Sequence, residues 1–363
     1  MDRVNDSHKV VVVRPVILAG GLGKRFWPIS RVNRPKQFLS ITKDGTSLIH
    51  ATAERLAPLC KDYPPVVVTS AKYVEMVREH VSNAEIICEP FGKNTAASVG
   101  LAAIFLKKAS PGCIMAVFPS DHCFKDEEKL IKTVLCAAEV AKDSGALVTI
   151  GIEPLSPNTG YGYIKLGSKI KEGVYRVSRF FEKPSLERAK SYLESGGFLW
   201  NSGIFVWTPD ALLDGIREFL PDLYSGLKDI EEVLGSEEEE SVIKAVFEKI
   251  ESVSIDLGVL EHATNCVVVE GKGLGWSDVG SWDAWGEYFE SDANGNLVKG
   301  DVCALDCSKS IIASESRFVA AVGCEGVVII DTPDALLVCA RDRAQDVKEI
   351  VTMLEQKGRK DLI

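Results

Sequence analysis

The feature that most constrains this chain is an apolar, valine-rich run from Val10 to Ala19 that stops at Gly20-Gly21-Leu22-Gly23. A run apolar at nearly every position, rather than at alternate ones, predicts a strand buried on both faces, as in parallel sheets covered by helices. Further runs at Pro65 to Thr69, Ile114 to Phe118 and Ala146 to Ile152 repeat the signal. Helical patterns separate them. Thr46 to Leu59 carries apolar residues at helical spacing, Thr95 to Lys108 opens on a capping residue and closes on lysines, and Asp126 to Ser144 ends at Gly145, a natural C-cap. Strand and helix alternating in this way predict a doubly wound α/β sheet.

The middle of the chain is more mixed. Val174 to Glu182 and Phe198 to Trp207 read as strands, the second running into Thr208-Pro209-Asp210 as N-cap, N1 and N2 of a helix. The acidic run Glu237 to Glu240 reads as a solvated helix start. Later, short apolar segments centre on Val302, Ile311, Val319, Val328 and Leu336, at steps of 9, 8, 9 and 8 residues. Short strands at that interval predict an all-β module, a solenoid or a small sandwich. A terminal amphipathic helix follows, with Val347, Ile350, Val351 and Leu354 on one face and Gly358 after it. At roughly 150 residues per domain the length suits two domains, expected here as 1–288 (α/β) and 289–363 (β module and helix).

Composition narrows the function. The formal net charge is −10 with a pI near 5.2, which argues against a nucleic-acid binder, since that needs a basic face. Any anionic ligand must be held by a few local cations and backbone amides. The ten cysteines are scattered, and the nearest pair, Cys303 and Cys307, has no neighbouring histidine. They read as reduced thiols, neither a disulfide framework nor a zinc site. The N-terminal residues are polar and the apolar run after them is interrupted by Arg14, so neither a signal peptide nor a membrane span is expected, and the expected compartment is the cytoplasm.

Three places carry chemistry. Glycines directly after a first parallel strand lie at the carboxyl edge of the sheet, where open α/β folds bind ligands, and backbone amides without Cβ atoms can approach phosphate oxygens. The loop is neither a Walker sequence nor a full dinucleotide motif. For the glycines alone, a tight turn is an equal reading, but Arg25 and Lys36 nearby supply cations able to neutralise a triphosphate. Pro119-Ser120-Asp121-His122 ends the third strand, where a carboxylate can hold Mg²⁺ or, equally well, cap a helix. Trp276-Ser277-Asp278-Val279-Gly280-Ser281-Trp282 sets an acid among tryptophans and small residues, either as a packed turn or as a ligand.

The loop Leu18 to Arg25 with Pro35-Lys36-Gln37-Phe38 resembles the signature loop of the sugar-1-phosphate nucleotidyltransferase family. Further stretches extend the likeness in order: Glu89-Pro90 with Lys93-Asn94-Thr95-Ala96, Phe118 to His122, Gly160-Tyr161-Gly162-Tyr163-Ile164, Phe181-Glu182-Lys183-Pro184, Trp200-Asn201-Ser202-Gly203-Ile204-Phe205, Trp276 to Trp282, and Asp331-Thr332-Pro333-Asp334-Ala335. Together they resemble the bacterial mannose-1-phosphate guanylyltransferase branch. That resemblance implies a Rossmann-like, mostly parallel GT-A-like sheet followed by a short left-handed β-helix. It implies that mannose 1-phosphate attacks the α-phosphorus of GTP, giving GDP-mannose and pyrophosphate; the exposed strand edges of the β module are the expected contact of a homodimer.

By the same resemblance, Ala19, Gly20, Gly21, Gly23, Lys24, Asn94, Thr95, Ser120 and Asp121 would line the nucleotide. Arg25 and Lys36 would stabilise departing pyrophosphate, and Lys183 would meet the sugar phosphate. Gly162, Glu182 and Asn201 would hold the sugar, and Asp121 and Asp278 would hold Mg²⁺. His122 reads as a supporting residue and not as a base. Many relatives carry threonine at the position of Lys24. Some continue into a phosphomannose isomerase domain for which this chain has no room, so a monofunctional enzyme is expected. Two other readings stay open: a pyrophosphorylase using glucose 1-phosphate with UTP, dTTP or ATP, and a non-catalytic nucleotide-sugar sensor.

Overall fold

The computed structural model describes residues 11–42, 44–61 and 63–363. Val10, where the first apolar run begins, and the polar residues before it lie outside the described residues. The chain forms two compact units interleaved along the sequence. The first comprises residues up to Ala19, Arg55–Pro119 and Asp126–Leu274; the second comprises Gly20–Glu54, Ser120–Lys125 and Gly275–Ile363.

The first unit is built on one sheet. Its strands are β1 (Val13–Leu18), β2 (Val66–Ser70), β3 (Glu85–Glu89), β4 (Ile114–Pro119), β5 (Leu147–Ile152), β6 (Tyr163–Lys171), β7 (Val174–Phe181), β8 (Phe198–Trp207) and β9 (Cys266–Glu270). Their order is β3-β2-β1-β4-β8-β5-β9-β7-β6, and β6 also pairs with β8. β1 runs parallel to β2 and β4, β2 to β3, and β5 to β9, which is the doubly wound part. β8 is inserted antiparallel between β4 and β5. Phe198 to Trp207 reads as a strand in the sequence, but an apolar pattern does not fix strand direction.

Helices cover this sheet as the sequence patterns require. In helix Asn94–Ala109 the side chains of Val99, Leu101, Ile104 and Leu106 are buried. Helix Glu127–Ser144 is capped by the Asp126 carboxylate, which accepts from Lys129 N, and closes on Gly145 at φ +63°. The Thr208 hydroxyl caps Pro209–Phe219 by accepting from Ala211 N. Arg14, the charged interruption in β1, is buried; its two terminal nitrogens donate to the Ser110 hydroxyl and to Glu85 and its guanidinium lies over the Tyr63 ring, while its Nε has no hydrogen-bond partner among the described residues.

Among the described residues the second unit holds six further strands: β10 (Leu297–Lys299), β11 (Val302–Leu305), β12 (Ile311–Ser314), β13 (Val319–Val322), β14 (Val327–Asp331) and β15 (Leu336–Ala340). β10, β12 and β14 stack in parallel and β11 pairs in parallel with β13, as coils of a short β-helix do. β15 closes the larger ladder antiparallel. The regular strand spacing in the sequence therefore belongs to a solenoid. Its core also takes in Phe26, Trp27, Leu39, Trp282, Trp285, Val347 and Val351. The indole N–H groups of Trp282 and Trp285 donate to the carbonyls of Trp27 (3.1 Å) and Ile41 (3.0 Å), tying the glycine-loop segment to the tryptophan turn.

The ten cysteines are free thiols. Among the described residues no helix is long and apolar enough to cross a membrane.

Candidate active site

The phosphate-binding candidates gather in the second unit. Past the end of β1, Gly23 adopts a left-handed conformation (φ +64°) and opens the short helical turn Lys24–Phe26. A Cβ at Gly23 would lie 2.3 Å from Lys36 Cβ, so a side chain there is excluded twice, by conformation and by space. At Gly21 an added Cβ would meet nothing within 4 Å. No packing within the described residues explains that glycine, which leaves its exposed backbone open to a close-approaching group.

Lys36 begins the turn Lys36–Phe38 after Pro35 and is buried. Its ammonium donates to Asp121 Oδ2 at 2.7 Å and to the Asp278 carbonyl at 2.9 Å, and lies 5.2 Å from the centre of the Phe26 ring. Three distant segments of sequence thus meet on one cation. Burial works against the charged form of Asp121, but Lys36 and His122 outweigh it and hold the carboxyl below its usual range. The His122 ring stands edge-on to Trp276, whose indole N–H donates to His122 Nδ1 at 3.2 Å. His122 is thereby oriented by a neighbour, which suits a supporting residue.

The Asp278 turn is held in an unusual shape. Its carboxylate accepts from Gly280 N at 3.1 Å, Ser277 Oγ accepts from Val279 N at 3.1 Å, and Val279 lies at φ +42°, uncommon for a β-branched residue. A Cβ on Gly280 would lie 2.3 Å from Asp278 Oδ2, and the Gly280 carbonyl accepts from Arg25 Nη1 at 3.2 Å. These groups line a cleft of about 420 Å³ whose walls include Arg25, Lys36, Asp121, His122, Asp278 and Lys348.

Three nucleotide candidates, Ala19, Lys24 and Ser120, have protein partners of their own. The Ala19 N–H donates to Val68 O at 2.9 Å, extending the sheet ladder of the first unit. Lys24 lines the cleft, yet its ammonium pairs with Glu355 Oε1 at 2.7 Å. Ser120 is buried, and its carbonyl accepts from Thr52 Oγ1 at 3.2 Å.

The sugar candidates gather in the first unit, and strand register explains why. Tyr163 pairs with Phe181 on β7 and with Trp200 on β8. The next residues outward are Gly162, Glu182 and Asn201, brought together although far apart in sequence, with Asn201 N donating to Gly162 O at 2.8 Å. A Cβ on Gly162 would come within 2.7 Å of Glu182 Oε2. Glu182 pairs with Lys183, which sits at φ +45°.

Asp256 belongs to this group and was missed in the sequence, where it is a lone acid in Ser254-Ile255-Asp256-Leu257. It accepts from Asn201 Nδ2 at 2.8 Å, while Asn201 Oδ1 accepts from Thr149 Oγ1 at 3.0 Å. Burial, with repulsion from Glu182 added, pushes the Asp256 carboxyl up to about 6. The segment before it also anchors the other nucleotide candidates: Ala96 N donates to Val253 O, and Ile255 N donates to Thr95 Oγ1 at 2.9 Å. Asn94, at φ +68°, accepts on Oδ1 from Thr95 N. Nearby Glu89 is buried with Ser98 Oγ donating to it at 2.7 Å, and burial pushes its carboxyl up to about 7.

The chain matches the family described as Nucleotidyl transferase over residues 14–295 and the MannoseP isomerase/GMP-like beta-helix domain over residues 300–354. The xanthan biosynthesis protein XanB of Xanthomonas campestris pv. campestris (strain ATCC 33913) is 40% identical over 96% of this chain and 74% of its own length. The mannose-1-phosphate guanylyltransferase RfbM of Salmonella typhimurium (strain LT2) is 38% identical over 96% of this chain and 73% of its own. Among solved structures, the one described as a mannose-1-phosphate geranyltransferase from Thermus thermophilus superposes with a TM-score of 0.86 at 32% identity, covering 95% of this chain and 100% of that one. The chain belongs to the nucleotidyl transferase family, and its fold is that of a nucleotidyltransferase acting on a sugar phosphate.

Proposed function

We propose that this nucleotidyltransferase moves a guanylyl group from GTP to mannose 1-phosphate, forming GDP-mannose and releasing pyrophosphate. The observation that carries the reading is Lys36, which joins Asp121 to the Asp278 turn in a cleft shared with Arg25. Such a site neutralises phosphate charge. The choice of GTP and mannose 1-phosphate rests on likeness to the Salmonella guanylyltransferase.

An oxygen of the sugar phosphate attacks the α-phosphorus, the bond to the bridging oxygen breaks, and pyrophosphate leaves with its electron pair. The nucleophile is already anionic, so neither a covalent protein intermediate nor a strong base is needed, and in-line positioning and charge neutralisation carry the catalysis. Gly20, Gly21 and Gly23 offer amides to the phosphates. Arg25 and Lys36 neutralise the charge that grows on pyrophosphate. Asn94, Thr95 and Ser120 line the nucleotide. Glu182 and Asn201 bind sugar hydroxyls beside Gly162, with Asp256 fixing the Asn201 amide, and Lys183 meets the sugar phosphate.

Asp121 and Asp278 suit Mg²⁺: both supply hard oxygen donors to one cleft, and Asp121 is held ionised. Mg²⁺ is commonly bound by one or two carboxylates together with substrate phosphates, and both acids line this cleft. When bound, Mg²⁺ would supply charge neutralisation at the phosphates. We propose further that the protein works in the cytoplasm as a homodimer, a reading supported by exposed Leu305, Phe318 and Val322 on its β module.

The test is pyrophosphate release with Mg²⁺ from GTP, ATP, UTP and dTTP, each crossed with mannose, glucose and galactose 1-phosphates. Turnover concentrated at GTP with mannose 1-phosphate is expected. Turnover centred on glucose 1-phosphate with another nucleotide would overturn the specificity. A folded protein inactive with every pair would overturn catalysis in favour of a sensor.

A further inference from the structure

Lys348 was not among the residues the sequence singled out, yet it lines the cleft that holds Arg25, Lys36, Asp121 and Asp278. It stands at the start of the terminal helix Val347–Gln356, whose Val347 and Val351 are buried in the core of the second unit. Its side chain is 55% exposed, and its ion-pair partner, Glu349 Oε1, is 3.9 Å away, at the outer limit for such a pair. Among the described residues, Lys348 is therefore a cation beside a phosphate-binding cleft with no strong protein partner.

The same helix is tied to the glycine loop. Glu355 lies seven residues, or about two turns, beyond Lys348, on the same side of the helix. It accepts from the Lys24 ammonium at 2.7 Å. A second tie comes just beyond the helix, where Trp27 Nε1 donates to Leu362 O at 2.8 Å. Both ends of the loop turn thus grip the chain terminus, and the loop and the helix carrying Lys348 hold one spacing.

We infer that Lys348 is a further phosphate-binding residue of this cleft and that Lys24, through Glu355, is the positioning residue that keeps it there. The inference rests on the reading that pyrophosphate occupies this cleft. An ammonium at the wall of a cleft that must release a polyanion contributes most to the leaving group, because charge grows there as the bond to the α-phosphorus breaks. Lys24 then acts through its pairing with the helix, and a threonine at that position would lack the reach to do so.

The test is calorimetric titration of the full-length protein with inorganic pyrophosphate, paired with kinetics of the pyrophosphate-consuming reverse reaction. Lys348→Ala should weaken pyrophosphate binding about five- to tenfold, the scale of one charge-assisted hydrogen bond at a partly exposed site. It should raise KM for pyrophosphate by a similar factor and leave KM for the nucleotide sugar unchanged. Lys348→Arg should stay within about twofold of wild type.

Glu355→Gln and Lys24→Ala should each weaken pyrophosphate binding about two- to threefold, and the double variant no further, because the two act as one unit. A Lys348→Ala protein that melts like wild type and binds pyrophosphate as wild type does would overturn the role of Lys348. Additive losses at Lys24 and Glu355 would overturn the latch. If the wild-type protein binds no pyrophosphate at all, the phosphate reading of the cleft fails and this inference fails with it. Binding by wild type with no effect of Lys348 sinks the inference alone.

Discussion

Glu89→Gln should change how stability depends on pH. Glu89 is 2% exposed at the end of β3, the Ser98 hydroxyl donates to its carboxylate, and burial lifts its carboxyl from 4.5 to about 7. A carboxyl raised in the folded state favours the protonated form. Its contribution is fully present below the unfolded value near 4.5 and is lost as pH climbs through about 7. The gap of about 2.5 units corresponds to roughly 3 kcal/mol at about 1.36 kcal/mol per unit. Glutamine keeps the shape and cannot ionise, so its protein should resemble wild type near pH 5 and exceed it by about 2–3 kcal/mol near pH 8.5. Urea unfolding of both proteins across that range measures the difference, and groups common to both cancel. Two parallel stability curves would show that Glu89 titrates normally and that its burial carries no such penalty.

Other predictions concern the cleft and the sugar group. Asp121→Asn and Asp278→Asn should each lower kcat by about 10²- to 10⁴-fold while circular dichroism stays unchanged; near-normal turnover in either variant removes that residue from the metal assignment. Gly23→Ala forces a Cβ to 2.3 Å from Lys36 Cβ at φ +64°. It should cost about 1–3 kcal/mol of stability and reduce turnover by moving Lys36 off Asp121, which melting curves and initial rates will report. In Gly162→Ala the new methyl meets Glu182 Oε2 at 2.7 Å. KM for the sugar phosphate should rise about tenfold with KM for the nucleotide little changed, and equal rises in both would place Gly162 elsewhere.

Much of the fold was legible because its core strands are continuous apolar runs. β2, β4, β5, β7 and β8 fall within one residue of the segments singled out by pattern, β1 starts three residues into its run, and β11 to β15 contain the five evenly spaced apolar centres. β6 was not legible as a run: beyond Tyr163 and Ile164 its side chains are largely exposed, so it carries no such signature. Strand direction at β8 was hidden for a different reason, since two-faced burial looks the same in either orientation. The glycine loop, Asp121 and Asp278 could be read as candidates one by one. Their meeting on Lys36 could not, because the contact joins residues 85 and 242 positions apart. Asp256 and Lys348 escaped for the same reason: nothing local marks either one, and each acquires its neighbours from strand register or from the docking of a terminal helix.

The Lys36–Asp121 pair acquires a purpose under the proposed function. Desolvating an ammonium and a carboxylate together is a poor way to gain stability, since an apolar pair of similar volume would often do as well. Here Lys36 keeps only 6% of its side chain exposed while Asp121 keeps 31%, so the acid faces the cleft and the base behind it is fixed. The turn that meets Lys36 from the other side holds Val279 at φ +42°, and Gly23 exists in a conformation that lets Lys36 pass beside it. Each of these features weighs against the fold when considered alone. Under the proposed function, and with a net charge of −10 on the whole chain, they serve as a prearranged local field. Charge that develops on a leaving phosphate then meets dipoles and cations already in place, and little reorganisation is left for the reacting step.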